Sequence, residues 1–283
     1  MARIGIDASN IHPLGKGISR YQKNIIRALV RLGLAHEFFI FHRSAVRIDL
    51  IESQPNWHFI PVPFLLSSLW EQVQLPWLAR KYRLELVYTT SDRLPLWSKV
   101  PFVIHLFEIP TYRVACARRA GYRTRWYQRL AETYGLAVFP HSLKKAVRVL
   151  TSSDYTKQDL IKQFHVSDQK IQVIYAAQED GFQPAHDPEV IAKIRARVSG
   201  GSEYLLHFSS GDPRDNTPVV LKAFRELRAR LPFDVKLIIV GANGNGVHPD
   251  PSVAHSVKRL SFVPDQELIE LYQGASLYLD PSL

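Results

Sequence analysis

The chain has 283 residues, enough for two domains or one large one, and 46% hydrophobic with 22% charged residues is ordinary for a globular protein, which excludes wholesale disorder. A single cysteine, Cys116, excludes an internal disulfide and suits a reducing compartment. Thirty-six Lys and Arg against twenty-six Asp and Glu leave a net charge of +10, which favours an anionic partner: a phosphorylated substrate, an acidic membrane surface or nucleic acid.

The opening MARIGIDASNI alternates apolar residues at once and lacks the continuous apolar stretch of a signal peptide. No run approaches the roughly 18–20 apolar residues that span a bilayer. These features predict a cytoplasmic protein. Arg3 to Asp7 reads as a first strand, and Ser19 to Leu32 as a helix with Ile25, Ile26, Leu29 and Val30 at helical spacing, stopped by Gly33. Glu37 to His42 and Trp57 to Val62 read as strands. Ser68 to Tyr82 reads as a helix interrupted at Pro76. Leu84 to Thr89 and Val100 to His105 are apolar runs of buried-strand length. A long helical region follows, then a strand at Ala146 to Ser152, a helix at Tyr155 to Phe164 and a strand at Ile171 to Ile174.

The pattern restarts after the proline-bearing connection Gln183 to Pro188. A helix from Glu189 to Val198 precedes strands at Tyr204 to Phe208, Val235 to Val240, Val257 to Phe262 and Leu277 to Asp280. Helices at Thr217 to Ala229 and Asp265 to Gly274 lie among them. Strands alternating with helices predict parallel sheets covered on both faces. The expected domains are 1–182 and 183–283. The final strand, ending in Pro281-Ser282-Leu283, is expected to leave the second sheet incomplete, with an uncovered edge.

Four constellations could carry chemistry. Pro13 to Tyr21 places Gly15 and Gly17 between the first strand and its helix, where backbone approaches a ligand closely and helix N–H groups face an anion. Lys16 and Arg20 add charge. As a dinucleotide fingerprint it is poor, because Arg20 holds the third glycine position. Ser209 to Pro218, with Ser210, Arg214 and Asn216, lies beyond the end of a strand. Arg214 there is suited to a phosphate, and Asn216 or Thr217 to capping the next helix. His105, at the end of a buried strand, is an acid, base or sugar contact, or a satisfied interior histidine. Gly241 opens a glycine-rich loop to Gly246 that either lines a cleft or only connects. Between Tyr112 and Arg148 lie Arg113, Arg118, Arg119, Arg123, Arg125, Arg129, Lys144, Lys145 and Arg148, interleaved with Tyr122, Trp126 and Tyr127. This stretch fits an anionic membrane surface or a solvated helix face. No metal-ligand spacing, nucleophile elbow or P-loop is present.

These segments, in this order, resemble the retaining glycosyltransferases of family 4, also called group 1. IGIDASNIHPLGKGISRYQKNIIRAL is similar to that family's opening, VLTSSDYTKQDLIKQFHVSDQKIQVIY to the segment ending its first lobe, and SSGDPRDNTPVVLKAF to its P-R-K-N loop. LIIVG and LSFVPDQELIELYQGASLYLDPSL are similar to the strands and helix before its nucleotide site. The resemblance implies a GT-B architecture of two Rossmann-like lobes, the first taking a glycan or lipid-linked acceptor and the second a nucleotide-sugar. No cofactor or metal is implied. It places Gly15 and Gly17 against the donor phosphates or the transferred sugar, makes His105 a catalytic sugar contact, and assigns Arg214 to the phosphates. Ser209, Ser210, Asn216 and Gly241 join the donor site. Asp215 stands where the family has lysine, and Leu106 where aspartate commonly follows the histidine. The family's E-x7-E segment is expected after Leu283.

The implied reaction is glycosyl transfer with retained configuration, in envelope or exopolysaccharide synthesis, at the inner face of the plasma membrane. A catalytically inactive nucleotide-sugar- or glycan-binding remnant is the alternative. A nicotinamide oxidoreductase has only G-x-G in its favour, and nucleic-acid binding only the charge.

Overall fold

A computed structural model describes residues 1–12, 17–43, 54–64, 66–119, 125–179, 181–241, 248–261 and 263–282. The chain divides into two compact units whose main boundary falls between Ala177 and Gln178.

The first unit is built on a seven-stranded parallel sheet. Its strands are β1 (Arg3–Ala8), β2 (Glu37–Arg43), β3 (Trp57–Val62), β4 (Leu86–Thr89), β5 (Phe102–Leu106), β6 (Arg148–Thr151) and β7 (Ile171–Val173), in the order β3-β2-β1-β4-β5-β6-β7. The chain runs outward from β1 to β3, then returns to β4 on the other side of β1. The crevice between β1 and β4 is therefore the switch point at which open α/β sheets place ligands. Alternation along β2 shows why both faces are covered: Phe39 and Phe41 pack into one buried cluster, Phe38 and Ile40 into the other.

Helices α1 (Ile18–Arg31), α2 (Ser67–Leu69), α3 (Leu75–Lys81), α4 (Pro110–Arg119), α5 (Trp126–Lys145) and α6 (Asp154–Phe164) connect these strands. Ser153 caps α6, its hydroxyl accepting from the Thr156 N–H at 3.1 Å. The expected helix over Ser68 to Tyr82 is in fact three pieces. Between α2 and α3, Trp70–Gln74 forms a π-helical turn in which the Leu75 N–H reaches back to the Trp70 carbonyl. Pro76 follows immediately, and the widened turn accommodates a residue that has no N–H and clashes with a regular preceding turn. The strand expected from Leu84 starts only at Leu86. Arg83, at φ 49°, turns the chain out of α3, and the Leu84 N–H closes on the Ala79 carbonyl at 2.8 Å.

The second unit carries a four-stranded parallel sheet in the order β10-β9-β8-β11, from β8 (Glu203–Ser209), β9 (Val235–Gly241), β10 (Val257–Leu260) and β11 (Leu277–Leu279). Helices α7 (Pro188–Ser199), α8 (Thr217–Arg228) and α9 (Asp265–Gly274) accompany it. Tyr204, Leu206, Ile238 and Val240 fill one face; Leu205, Leu237 and Ile239 fill the other. Asp187 caps α7 and Pro188 begins it, and Gly200, at φ 70°, ends it. β11 is an edge strand, with Leu277 and Tyr278 exposed. Among the described residues, no helix is long and apolar enough to cross a membrane.

Candidate functional site

At the carboxyl end of the first unit's sheet lies a cleft of about 240 Å³, lined by residues that follow β1, β2, β4 and β5 and by the π-helical turn. Its lining includes Asp7, Ser9, Asn10, Arg43, Trp70, Glu71, Thr90, Ser91, Arg93 and Phe107. Asp7, next to last in β1, is buried and engaged by three donors. Its carboxylate accepts from the Ser9 N–H at 3.1 Å, the Trp70 indole at 3.2 Å and the Thr89 hydroxyl at 2.8 Å. From α1, Gln22 donates to the Asp7 carbonyl and to Thr90 Oγ1, both at 2.8 Å. The switch point is thus held together by side chains from four elements: β1, α1, the π-helical turn and β4.

The π-helical turn delivers Trp70 and Glu71 to this cleft. Glu71 is 4% exposed, and its Oε1 lies 2.7 Å from the Arg93 guanidinium and 3.3 Å from the Ser91 hydroxyl. Its second oxygen, Oε2, is buried and has no hydrogen-bond partner among the described residues. Burial pushes the Glu71 carboxyl up to about 8, although Arg93 pulls the other way. The sequence reading passed over Asp7, Glu71 and Arg93. The available signal was an acid inside the apolar stretch LLSSLWEQVQLPWL.

Beside the cleft, His105 is 1% exposed and satisfied inside the fold. Tyr21 and Tyr88 hydroxyls lie 3.4 and 3.3 Å from Nδ1, Ser152 Oγ lies 3.3 Å from Nε2, and Phe107 stacks on the ring at 4.8 Å. Burial lowers its pKa to about 4, so the imidazole is neutral at pH 7. Of the glycine loop, Gly15 and Lys16 lie outside the described residues. Gly17, at φ 49°, begins α1, and Arg20 lies in the first turn. The ends of the loop are tied: the His12 N–H donates to Ser19 Oγ at 3.1 Å.

In the second unit, Ser209, Ser210, Arg214, Asn216 and Gly241 gather at the carboxyl ends of β8 and β9. Gly241 sits at φ 128°, and a Cβ there would lie 1.9 Å from the Ser209 carbonyl oxygen, so only glycine lets the two strand ends meet. The Ser210 N–H and hydroxyl both donate to Asp215, at 2.6 and 2.7 Å. Arg214 grips the Asp212 carboxylate through Nε at 3.1 Å and Nη2 at 2.8 Å, which holds that carboxyl below its usual range. Asn216 occupies the cap position of α8 in the left-handed region. Its side chain makes no cap bond and donates instead to the Pro281 carbonyl at 3.1 Å. Thr217 Oγ1 bonds Ser209 Oγ and His207 Nε2, each at 3.0 Å. The rest of the glycine-rich loop, 242–246, lies outside the described residues.

Of the basic stretch, Arg123 lies outside the described residues. Arg125, Trp126, Tyr127, Arg129 and Leu130 form an exposed basic and aromatic start to α5. No group of three or more His, Cys, Asp or Glu among the described residues could hold a metal ion.

The sequence model of Glycosyltransferase Family 4 matches residues 15–177. Along 287 aligned positions the chain is 22% identical to O-antigen chain mannosyltransferase B of Escherichia coli, covering 94% of this chain and 72% of that protein. The fold superposes on HepE of Anabaena, solved in complex with UDP-glucose, with a TM-score of 0.67 at 17% identity, over 100% of this chain and 74% of that one. On WaaG, a glycosyltransferase involved in lipopolysaccharide biosynthesis, the TM-score is 0.65 at 14% identity, over 99% and 75%. The two parallel sheets and these likenesses make the architecture GT-B. The family match spans more than half of the sequence, and the chain belongs to Glycosyltransferase Family 4 and is a glycosyltransferase.

Proposed function

We propose that the chain transfers a hexose from a nucleotide-sugar to a glycan or lipid-linked acceptor, with retention of configuration and without a metal ion, in cell-envelope or exopolysaccharide synthesis. The family match over residues 15–177 carries the reading. The mannosyltransferase relative and the UDP-glucose complex of HepE support a nucleotide-activated hexose as donor.

In this reading the second unit holds the donor. The carboxyl ends of β8 and β9, which meet closely at Gly241, and the N-terminus of α8 lie where diphosphate charge grows as the glycosidic bond breaks, and the Ser210 N–H reaches that charge by leaving Asp215. Arg214 supplies the cation by exchanging Asp212 for phosphate. Gly15, Lys16, Gly17 and Arg20 are the first unit's own candidates for an anionic or sugar group. The switch-point cleft of the first unit takes the acceptor, and His105, neutral and partnered at both ring nitrogens, contacts a sugar hydroxyl by exchanging one of those partners for it. The exposed Trp126 and Tyr127, flanked by Arg125 and Arg129, suit the surface of an anionic bilayer and support the reading of a peripheral enzyme at the inner face of the plasma membrane.

Nucleotide-sugar consumption by the full chain tests this reading. Incubation with UDP- and GDP-hexoses and an oligosaccharide or polyprenyl-linked acceptor should release nucleotide and form an axial linkage from an axial donor. An inverted linkage would sink retention. Binding of nucleotide-sugar with no turnover would make this chain a binding protein of the family.

A further inference from the structure

Helices α2 and α3, with the π-helical turn between them, bury one side and leave the other bare. Trp70, Leu75, Leu78 and Ala79 pack into the core of the first unit. Leu66, Leu69, Val73 and Trp77 are between 42% and 63% exposed. They stand three, four and four residues apart, the spacing that stacks side chains along one side of a helix. Gln72 pins the chain that follows β4 against this helix. Its Nε2 donates to the Leu94 carbonyl at 3.1 Å, and its Oε1 accepts from the Leu96 N–H at 2.9 Å. That contact brings Leu96 and Trp97 to the same helix, with Trp97 89% exposed. Single exposed apolar residues are ordinary; six gathered on one helix and the loop pinned to it mark an interaction surface.

Charge decides what this surface meets. Across 66–83 and 93–100, Arg80, Lys81, Arg83 and Lys99 are exposed, and Lys81 Nζ lies 4.9 Å from the centre of the Trp77 ring. The one carboxylate in these segments, Glu71, is buried against Arg93. The acids that flank them are held by neighbours: Asp92 lies 3.5 Å from Arg93, and Glu85 accepts from the Arg3 N–H at 3.0 Å. Apolar side chains with tryptophans and a rim of cations match the interface of an anionic bilayer. Aliphatic groups there enter the acyl boundary, indoles sit at headgroup depth, and Lys and Arg meet lipid phosphate. A second copy of this face would set like charges against each other. A protein partner would need a pocket for Trp97, which stands almost clear of the surface, whereas a bilayer needs none.

The stripe begins at the rim of the switch-point cleft, because Ser67, which follows Leu66, lines that cleft.

We infer that the face carrying Leu66, Leu69, Val73, Trp77, Leu96 and Trp97 docks on an anionic bilayer and sets the rim of the cleft against the headgroups, where an acceptor anchored in lipid presents its sugar. The inference rests on the reading of a peripheral enzyme with a lipid-linked acceptor, and it assigns the contact to residues outside the basic stretch 112–148.

The test is co-sedimentation of the full chain with vesicles of equal parts phosphatidylglycerol and phosphatidylethanolamine, and with vesicles of phosphatidylcholine alone. The anionic vesicles should bind about tenfold more tightly, a difference that about 0.5 M salt largely removes. Trp77→Ser combined with Trp97→Ser should weaken that binding by about tenfold or more, and leave nucleotide release in the absence of vesicles unchanged. Lys81→Glu combined with Lys99→Glu should weaken it by about tenfold at low salt only, and keeps the test available should the tryptophan pair fail to fold. Equal binding to both kinds of vesicle overturns the inference, as does binding unchanged in both pairs or lost only in Trp126→Ser with Tyr127→Ser. A dimer, seen by light scattering, that the tryptophan pair dissolves would make this face a contact between copies instead. If nucleotide-sugar is consumed and no vesicle is bound, the inference fails and the transferase reading stands. Vesicle binding that follows these residues without any sugar transfer leaves the inference standing and sinks the transferase reading.

Discussion

The two units arrange polar side chains at the ends of parallel strands in opposite ways. In the first, Asp7, Glu71 and His105 are buried and tied to partners from distant elements: Trp70, Thr89, Arg93, Tyr21, Tyr88 and Ser152. In the second, the Ser209 to Thr217 loop is wired mostly to itself. Asp212 with Arg214 and Ser210 with Asp215 are two and five residues apart. Burial makes the first site rigid and shifts its titrations widely. Local wiring near solvent leaves the second site's ion pair exchangeable. A rigid pocket suits recognition of one acceptor shape, and an exchangeable pair suits a loop that closes on phosphate.

The largest expected effect separates two glycines. Gly241→Ala forces a Cβ to within 1.9 Å of a backbone carbonyl in the sheet of the second unit. It should cost about 3 kcal/mol or more. Gly17→Ala also faces a positive φ, but nothing lies within 4 Å of its Cβ among the described residues. It should cost about 1 kcal/mol. Urea denaturation decides, and equal costs would mean that the approach of β9 to Ser209 relaxes freely.

Next in size is Asp7→Ala, which leaves the Ser9 N–H, the Trp70 indole and the Thr89 hydroxyl without an acceptor. A loss of about 3 kcal/mol is expected, confined to the first unit. Hydrogen exchange should show faster opening of β1 and β4 with β8 and β9 unchanged. A loss below about 1 kcal/mol would mean that water replaces the carboxylate, and that the first site is less sealed than its burial implies.

Titration sharpens the same contrast. His105 is held neutral down to about 4, so its contribution to stability is complete above its ordinary 6.5 and declines as pH falls from there. Glu71 is raised to about 8 from 4.5, so its contribution is complete below 4.5 and declines as pH rises through 8. The two trends oppose each other between pH 4.5 and 6.5. Above 6.5 only the Glu71 decline remains. Thermal unfolding should therefore show stability falling from pH 6.5 to 8.5, and Glu71→Gln should flatten that slope. An unchanged slope in the variant would place the titration elsewhere.

Most strands and helices were legible in the sequence, because two-residue and helical periodicities survive wherever both faces are buried, as in EFFIFH of β2. The Pro76 interruption was legible too, but not that it becomes a π-helical turn aiming Glu71 into the cleft. That depends on how the chain spends the proline's missing hydrogen bond. The burial of His105 followed from its strand, whereas its partners lie 84, 17 and 47 residues away and need the sheet order to be known. Arg214 read as a phosphate ligand because residue type was visible. The Asp212 contact depends on backbone angles of a short 3₁₀ turn, which periodicity does not carry.

The smallest change in stability is expected where the functional change is large. Arg214 and Asp212 are about one-third exposed, 31% and 28%, and breaking such a pair costs under about 1 kcal/mol. Arg214→Ala should nonetheless weaken nucleotide-sugar binding by about tenfold, the worth of one charged hydrogen bond to phosphate. Asp212→Asn removes the competing carboxylate charge and should strengthen binding, because the guanidinium no longer leaves an ion pair to meet the diphosphate. Isothermal titration of both variants with UDP and UDP-glucose separates the two roles open to this arginine. Opposite shifts mark it as a donor ligand that Asp212 holds in reserve. Equal losses in both variants mark the pair as a brace for the turn and remove Arg214 from the donor's ligands.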